Sequence, residues 1–293
     1  MKISPIILVL FLSNFSFAQN SISSAKLHLN KGEIHKAKQI LEEHLESQPG
    51  HLDAISYLGD IAAFETKWDV ALSHYKKLLN QDPENAEYNF KYGGVLGLKA
   101  LKVSKIQAMV YIPEIKKYLE KAAKLDPSHI KSRRALVELY IKLPSILGGS
   151  TSKAQNFANQ LKNISRLEAS ISQGFIHKES GDTDEANLQY QKAFSYSKVS
   201  HQKPEFNYLN YELGKIAADN NIELSKGLVF LDAYIKNYNY RDIHSLEWAY
   251  YRKAQIQAHL RNKIEAQKLI DKALSLRSGF EEAKVEKKRI LEL

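Results

Sequence analysis

Cysteine is absent from this 293-residue chain, so no disulfide staples the fold and no lipid is attached through an N-terminal cysteine. Stability has to come from packing. Beyond the first eighteen residues no apolar run approaches the roughly 20 residues needed to cross a bilayer, so the mature chain is not expected to span a membrane. Signatures of chemistry are missing too. The ten histidines form no His-Glu-x-x-His motif and no pair at i, i+4, and there is no Gly-x-Ser-x-Gly elbow or nucleotide fingerprint. His28 and His35, and likewise His44 and His51, are seven apart, but each pair straddles a turn or helix end, which removes the shared face a metal pair needs. No enzyme activity, cofactor or metal is expected. The net charge of +9, from 42 Lys and Arg against 33 Asp and Glu, is interspersed along the chain and reads as solvated helical surface. No nucleic-acid recognition motif accompanies it, and none is expected to bind.

The first eighteen residues belong to a different class. Lys2 gives a positive start, Ile6 to Leu12 is a short apolar run, and Ser16-Phe17-Ala18 offers the small residues a signal peptidase reads. The expectation is a signal peptide, residues 1–18, cleaved near Ala18-Gln19, and export to the periplasm or the extracellular space. An uncleaved N-terminal anchor is the alternative.

What the rest of the chain contains is a recurring unit. Leu52 to Pro83 reads LDAISYLGDIAAFETKWDVALSHYKKLLNQDP, two amphipathic helical patterns joined by a polar turn. So short a helix pair cannot bury its apolar side alone and needs stacked neighbours. Pro49 and Pro83 are one 34-residue period apart, and that period is the length of a helix-turn-helix repeat. Within the unit Gly59 permits a close helix crossing, with Ala62 and Ala71 alongside, while Leu58, Trp68, Tyr75 and Leu78 fill volume.

By Leu58, Gly59, Ala71, Tyr75 and Pro83 the chain resembles the tetratricopeptide repeat family. The resemblance implies an all-α, right-handed solenoid of about seven helical hairpins with a C-terminal capping helix. Repeats are placed near 21–49, 52–83, 86–127, 130–163, 167–196, 205–238 and 245–276, with a polar linker at Lys198 to Lys203 and the cap at 279–293. The stretch from Lys91 to Ala193, with KYGGVLGLKA, YLEKAAKLDP and LPSILGGSTSKA, is similar to a group of exported bacterial members with a wide third turn and a Pro-x-x-x-Gly-Gly-Ser fourth turn. No defined activity comes with that likeness.

Two places depart from the regular unit. LKVSKIQAMVYI, Leu101 to Ile112, is more apolar than a free loop should be. It either extends the first helix of its repeat and tucks against it, or forms a lid or docking segment. Gly148-Gly149-Ser150, after Pro144, either makes a structural turn or cradles an anion at a helix N-terminus, although it lacks the Lys and spacing of a phosphate loop.

Stacked hairpins curve, and the first helix of each lines the inner side, where repeat solenoids bind their ligands. The family resemblance places Lys131, Arg134, Lys142 and Lys178 there, followed by Tyr208, Tyr211, Lys215, Trp248 and Tyr251: a basic centre running into an aromatic end. Arg, Tyr and Trp dominate binding hot spots, but aromatics three apart on a helix also fit packing between repeats. A clamp for a C-terminal carboxylate is not expected, because Phe90, Gly94 and Glu138 stand where the family's Asn and Lys would be. The expected function is a non-enzymatic interaction scaffold for a peptide segment or an envelope protein, with homo-oligomerisation left open. The alternative is a groove holding a small anionic or amphipathic ligand, as a transport accessory. An unassigned hydrolase is a distant third.

Overall fold

The computed structural model describes residues 21–197 and 206–293. The expected signal segment with its cleavage point, and the linker Lys198 to Lys203, lie outside them. Every regular element described is helical. The chain divides into two compact units, Met1–His129 and Ile130–Leu293.

In unit 1, α1 (21–30) meets α2 (Ile34–Ser47) through Ser21 and His44, 2.8 Å apart, while α3 (Leu52–Phe64) pairs with α4 (Trp68–Gln81) and α5 (Ala86–Ala100) with α6 (Lys105–Leu125). In unit 2, α7 (Ile130–Lys142) pairs with α8 (Thr151–Leu161), α9 (Arg166–Glu179) with α10 (Thr183–Tyr196), α11 (Asn207–Asn220) with α12 (Leu224–Lys236), and α13 (Leu246–His259) with α14 (Lys263–Leu276). The last helix, α15 (Glu281–Leu291), packs on α14. It presents Ala283 and Ile290 to the core beside Phe280, which precedes it, and is otherwise mostly charged, as the end of a stack requires. The protein is thus an all-α stack of helical hairpins.

The pairing rests on small residues at fixed places. A Cβ on Gly59 would stand 2.5 Å from the Tyr75 ring, and one on Gly174 would stand 2.4 Å from Tyr190. Only glycine lets the paired helices approach that closely. The fourth residue of the second helix is small in six hairpins: Ala37, Ala71, Ala154, Ala186, Gly227 and Ala266. Gly227 takes the place of alanine because its Cβ would meet that of Ala217 at 2.4 Å.

Four hairpins close identically. Gly32, Thr66, Gly181 and Arg261 all have positive φ, each followed by a residue whose N–H reaches back five positions, to His28, Ala62, His177 and Gln257, at 2.8–2.9 Å. This satisfies carbonyls that the helix end leaves bare.

Of the two irregular turns, the first departs from expectation and the second forms the structural turn expected. The segment after Lys99 does not extend the first helix: α5 stops at Ala100, and α6 begins at Lys105 and runs 21 residues straight through Pro113. Ser104 starts it with a capping box, its hydroxyl accepting from Gln107 N while Gln107 reaches back to Ser104 N. Nor does the segment tuck in, since the first buried residue of α6 is Ile115. At Pro144 the turn contains a short 3-10 piece, Ser145–Leu147, and Gly148 has φ 80°. The N–H groups of Gly148, Gly149 and Ser150 donate to the carbonyls of Ser145, Pro144 and Tyr140. With those donors used, the anion-cradle reading is set aside. A Cβ on Gly149 would lie 1.8 Å from Leu143 O, so the glycine serves the turn itself.

Candidate functional site

The side of unit 2 formed by α7, α9 and α11 carries a dense set of charges. Arg134, on α7, directs its guanidinium to Glu168 of α9 at 2.7 Å, to Glu138 one turn on at 3.5 Å, and to Glu212 of α11 at 3.6 Å. Glu168 is buried at the start of α9, where Ser165 caps the helix, and it also accepts the Tyr208 hydroxyl. One arginine therefore meets carboxylates from the next two hairpins. We take the side of unit 2 on which these first helices bring their charges together as its inner face.

Farther along, Lys215 pairs with Asp219 at 2.9 Å, and Arg252 of α13 reaches the same carboxylate. Arg252 also lies over the rings of Tyr251, at 5.0 Å, and Trp248, at 5.9 Å. Trp248 packs edge-on against Phe280 and Tyr251, and Arg277 covers Trp248 and Phe280.

The electrostatics follow from enclosure. Burial works against the charge of Arg134, but Glu168, Glu212 and Glu138 outweigh it and hold the guanidinium above its ordinary value. Despite burial, Glu212 is lowered by Arg134 and Lys215, and Asp219 by Lys215 and Arg252. Burial, then Glu168, raises the Tyr208 phenol. Glu138 has 55% of its side chain accessible, yet the surrounding walls desolvate its carboxyl enough to raise it even beside Arg134. Lys178 is exposed by area and still has its amine lowered by desolvation.

Several placements differ from the sequence reading. Tyr211 is 1% exposed, stacked on His244 with centroids 4.0 Å apart; burial pushes His244 down to about 4. The correction comes from helix geometry. Tyr208, Glu212, Lys215 and Asp219 share the inner face of α11, whereas Tyr211, Gly214 and Ala218 share the face turned into the core. Lys142 is outside the network, paired with Glu179 at 2.7 Å and over the Phe175 ring, and Lys131 stands exposed in the first turn of α7. The centre is therefore not basic but balanced: Arg134, Lys215, Arg252 and Lys178 face Glu138, Glu168, Glu212 and Asp219. Sequence reasoning found most of the cations and missed the acids. The offsets Arg134–Glu138 and Lys215–Asp219, both i, i+4, were the available signal.

In unit 1 the corresponding contact is smaller. Lys91 of α5 donates to Ser56 at 2.8 Å and pairs with Asp60 of α3, also at 2.8 Å, and Asp60 accepts the Tyr75 hydroxyl at 2.7 Å. His44 and His51 meet edge to face at 4.6 Å. Among the described residues no group of three or more His, Asp or Glu has the geometry to hold a metal ion, and no helix is long and apolar enough to cross a membrane. In unit 1 an open depression of about 570 Å³ lies on α6, lined by Glu84, Glu120, Lys116, Lys117, Lys121 and Lys124.

Known proteins bear on the fold. The tetratricopeptide repeat model matches residues 249–280, which cover most of α13 and all of α14. No curated protein matches the sequence. A tetratricopeptide repeat protein from Parabacteroides merdae ATCC 43184 is similar in structure, with 14% identity, a TM-score of 0.54 and coverage of 94% of this chain and 98% of that one. A thermophilic TPR protein of Thermus thermophilus has 16% identity and a TM-score of 0.53 over 74% of this chain and 99% of its own. At such identities the likeness is one of fold. The repeat at 249–280 thus carries the sequence pattern of the tetratricopeptide repeat, and the hairpins across the chain have the fold of tetratricopeptide repeat proteins.

Proposed function

We propose that the protein is a non-enzymatic interaction scaffold and that the inner face of α7, α9 and α11 docks an extended segment of another protein. The observation that carries this reading is the reach of Arg134 across two hairpins to Glu168 and Glu212, with Glu138, Lys178 and Lys215 accessible around it. Buried pairs hold the floor rigid, and the accessible groups offer both signs of charge to a partner without further ordering of the chain. A segment bearing both Lys or Arg and Asp or Glu fits such a floor. A purely anionic small ligand fits less well, because Arg134, Lys215 and Arg252 already have carboxylates.

Selection of a displayed peptide library on the immobilised protein tests this. Peptides of mixed charge are expected to be enriched, and to lose retention on a Glu138→Lys/Lys178→Glu variant whose helical content is unchanged. Arg134 is left intact, since its reversal would leave Glu168 buried without a counter-charge. Equal retention on both forms would move binding to another surface and overturn the proposal. We also propose that the chain is exported. Its mature N-terminus is then Gln19, and finding Met1 intact on exported protein would reject this.

A further inference from the structure

The turn end of the α5–α6 hairpin is unlike any other in unit 1. α6 is seven residues longer than the 14-residue α4. Both helices stop at an Asp-Pro pair, Asp82-Pro83 and Asp126-Pro127, so the surplus lies at the start of α6, where seven residues add about 10 Å. Buried positions begin only at Ile115, and the projecting turns have no core to meet. They are nevertheless apolar: Leu101 and Ile106 are each 80% exposed and Val110 75%, with Met109 beside them. Ile106, Val110 and Pro113 follow one another at helical spacing, forming a single ridge.

The free charge around this ridge is basic, since Glu114, next to Pro113, accepts the Tyr92 hydroxyl at 3.3 Å. Lys102 and Lys105 flank it, both exposed, and no acidic residue occurs from Leu101 to Ile112. Asp69, on neighbouring α4, is paired by Lys99. The first turn of α6 holds no acid, leaving the positive end of the helix dipole uncompensated there. The same stripe continues into Lys117 and Lys124, beside the depression on α6.

We infer that this tip docks on an anionic phospholipid surface, with Leu101, Ile106, Met109 and Val110 entering the headgroup boundary and Lys102 and Lys105 meeting the phosphates. An apolar ridge fringed by lysine is the chemistry of interfacial membrane contact. A second copy of this chain is the competing occupant, and two observations disfavour it. A self-complementary contact would set Lys102 and Lys105 against their own equivalents. The apolar tip exposes on the order of 500 Å², less than the roughly 800 Å² each partner contributes to a stable protein interface.

The absence of cysteine makes a local test direct. In the full chain, a solvent-sensitive fluorophore is placed on Val110→Cys, with Ile264→Cys on α14, also exposed and apolar, as the control. Because the label reports its own surroundings, membrane binding by residues 1–18 does not mimic the signal. With phosphatidylcholine vesicles containing phosphatidylglycerol, the Val110→Cys label is expected to shift to the blue and to be quenched by brominated lipid, while the Ile264→Cys label stays silent. Adding Lys102→Gln/Lys105→Gln is expected to weaken the response at least tenfold, given about 1 kcal/mol for each lysine near such a surface. A silent Val110→Cys label, an equal response at Ile264→Cys or on phosphatidylcholine alone, or unchanged affinity without the two lysines would each overturn the inference. A blue shift that grows with protein concentration in the absence of vesicles would assign the tip to a second copy instead.

Discussion

The inner face of unit 2 and the tip of α6 in unit 1 use the same residue types to opposite ends. On the inner face Arg134, Lys215 and Arg252 each have a carboxylate, and the charges there are balanced. At the tip the lysines have no nearby acid and the apolar side chains have no core. The difference teaches where free energy is already committed. A network satisfied from within contributes to folding and offers a partner only its accessible edge, whereas an unsatisfied ridge contributes almost nothing to folding and is free to bind.

Mutations can break or sharpen that contrast, beginning with the network. Glu168→Ala leaves Arg134 short of its main counter-charge and Tyr208 without an acceptor, and should lower unfolding free energy by about 3–5 kcal/mol in urea melts. Arg134→Met/Glu168→Leu should recover most of that loss; if it does not, the pair is not what Glu168→Ala disrupts.

Asp242, buried beneath Asn207 and accepting from the Asn239 backbone, gives a pH signature to the same unit. Burial pushes its carboxyl up to about 6, against about 3.9 for an unfolded chain. Below about pH 4 the group is protonated in both states. Between the two values the folded state alone holds the proton, so stability falls as pH rises through that window and levels off above it. The loss should amount to roughly 2–3 kcal/mol. Asp242→Asn keeps an acceptor oxygen and should abolish the dependence, becoming the more stable protein at pH 7; a parallel pH profile would refute the assignment.

Unit 1 stores its smaller cost in the backbone. Thr66 holds φ 59° at the position where Gly32 and Gly181 serve other hairpins. Thr66→Gly should therefore raise the melting free energy by about 1 kcal/mol. The smallest effect belongs to the tip. Ile106→Asp/Val110→Asp should leave stability within about 0.5 kcal/mol of the parent, and a larger loss would mean the ridge packs against something after all.

The repeat architecture was legible because it is local. The 34-residue spacing of Pro49 and Pro83 and the glycine opposite a ring at Gly59 and Tyr75 lie within one hairpin. The course of α6 was not read correctly, since Pro113 looks like a helix start, while the true start was written in the Ser104-x-x-Gln107 capping box. The balanced site was half legible. Lysine and arginine positions follow from the repeat register, but the partners of Arg134 are 34 and 78 residues away, at Glu168 and Glu212. Such pairings depend on how one hairpin settles on the next, which periodicity alone does not set. Tyr211 shows the same limit at the scale of one residue: a single helical step separates the groove face from the core.

The fixed register of α6 has a further consequence for how this protein can be altered. In unit 1 the stretches 48–51, 82–85 and 126–129 keep one length, and the whole surplus of the third hairpin is absorbed at its turn. That edge accepts added sequence without disturbing the core positions from Ile115 onward. A short peptide grafted between Leu101 and Ser104 would be carried clear of the body on a helical stalk, a ready-made display site on a scaffold that needs no disulfide to stay folded.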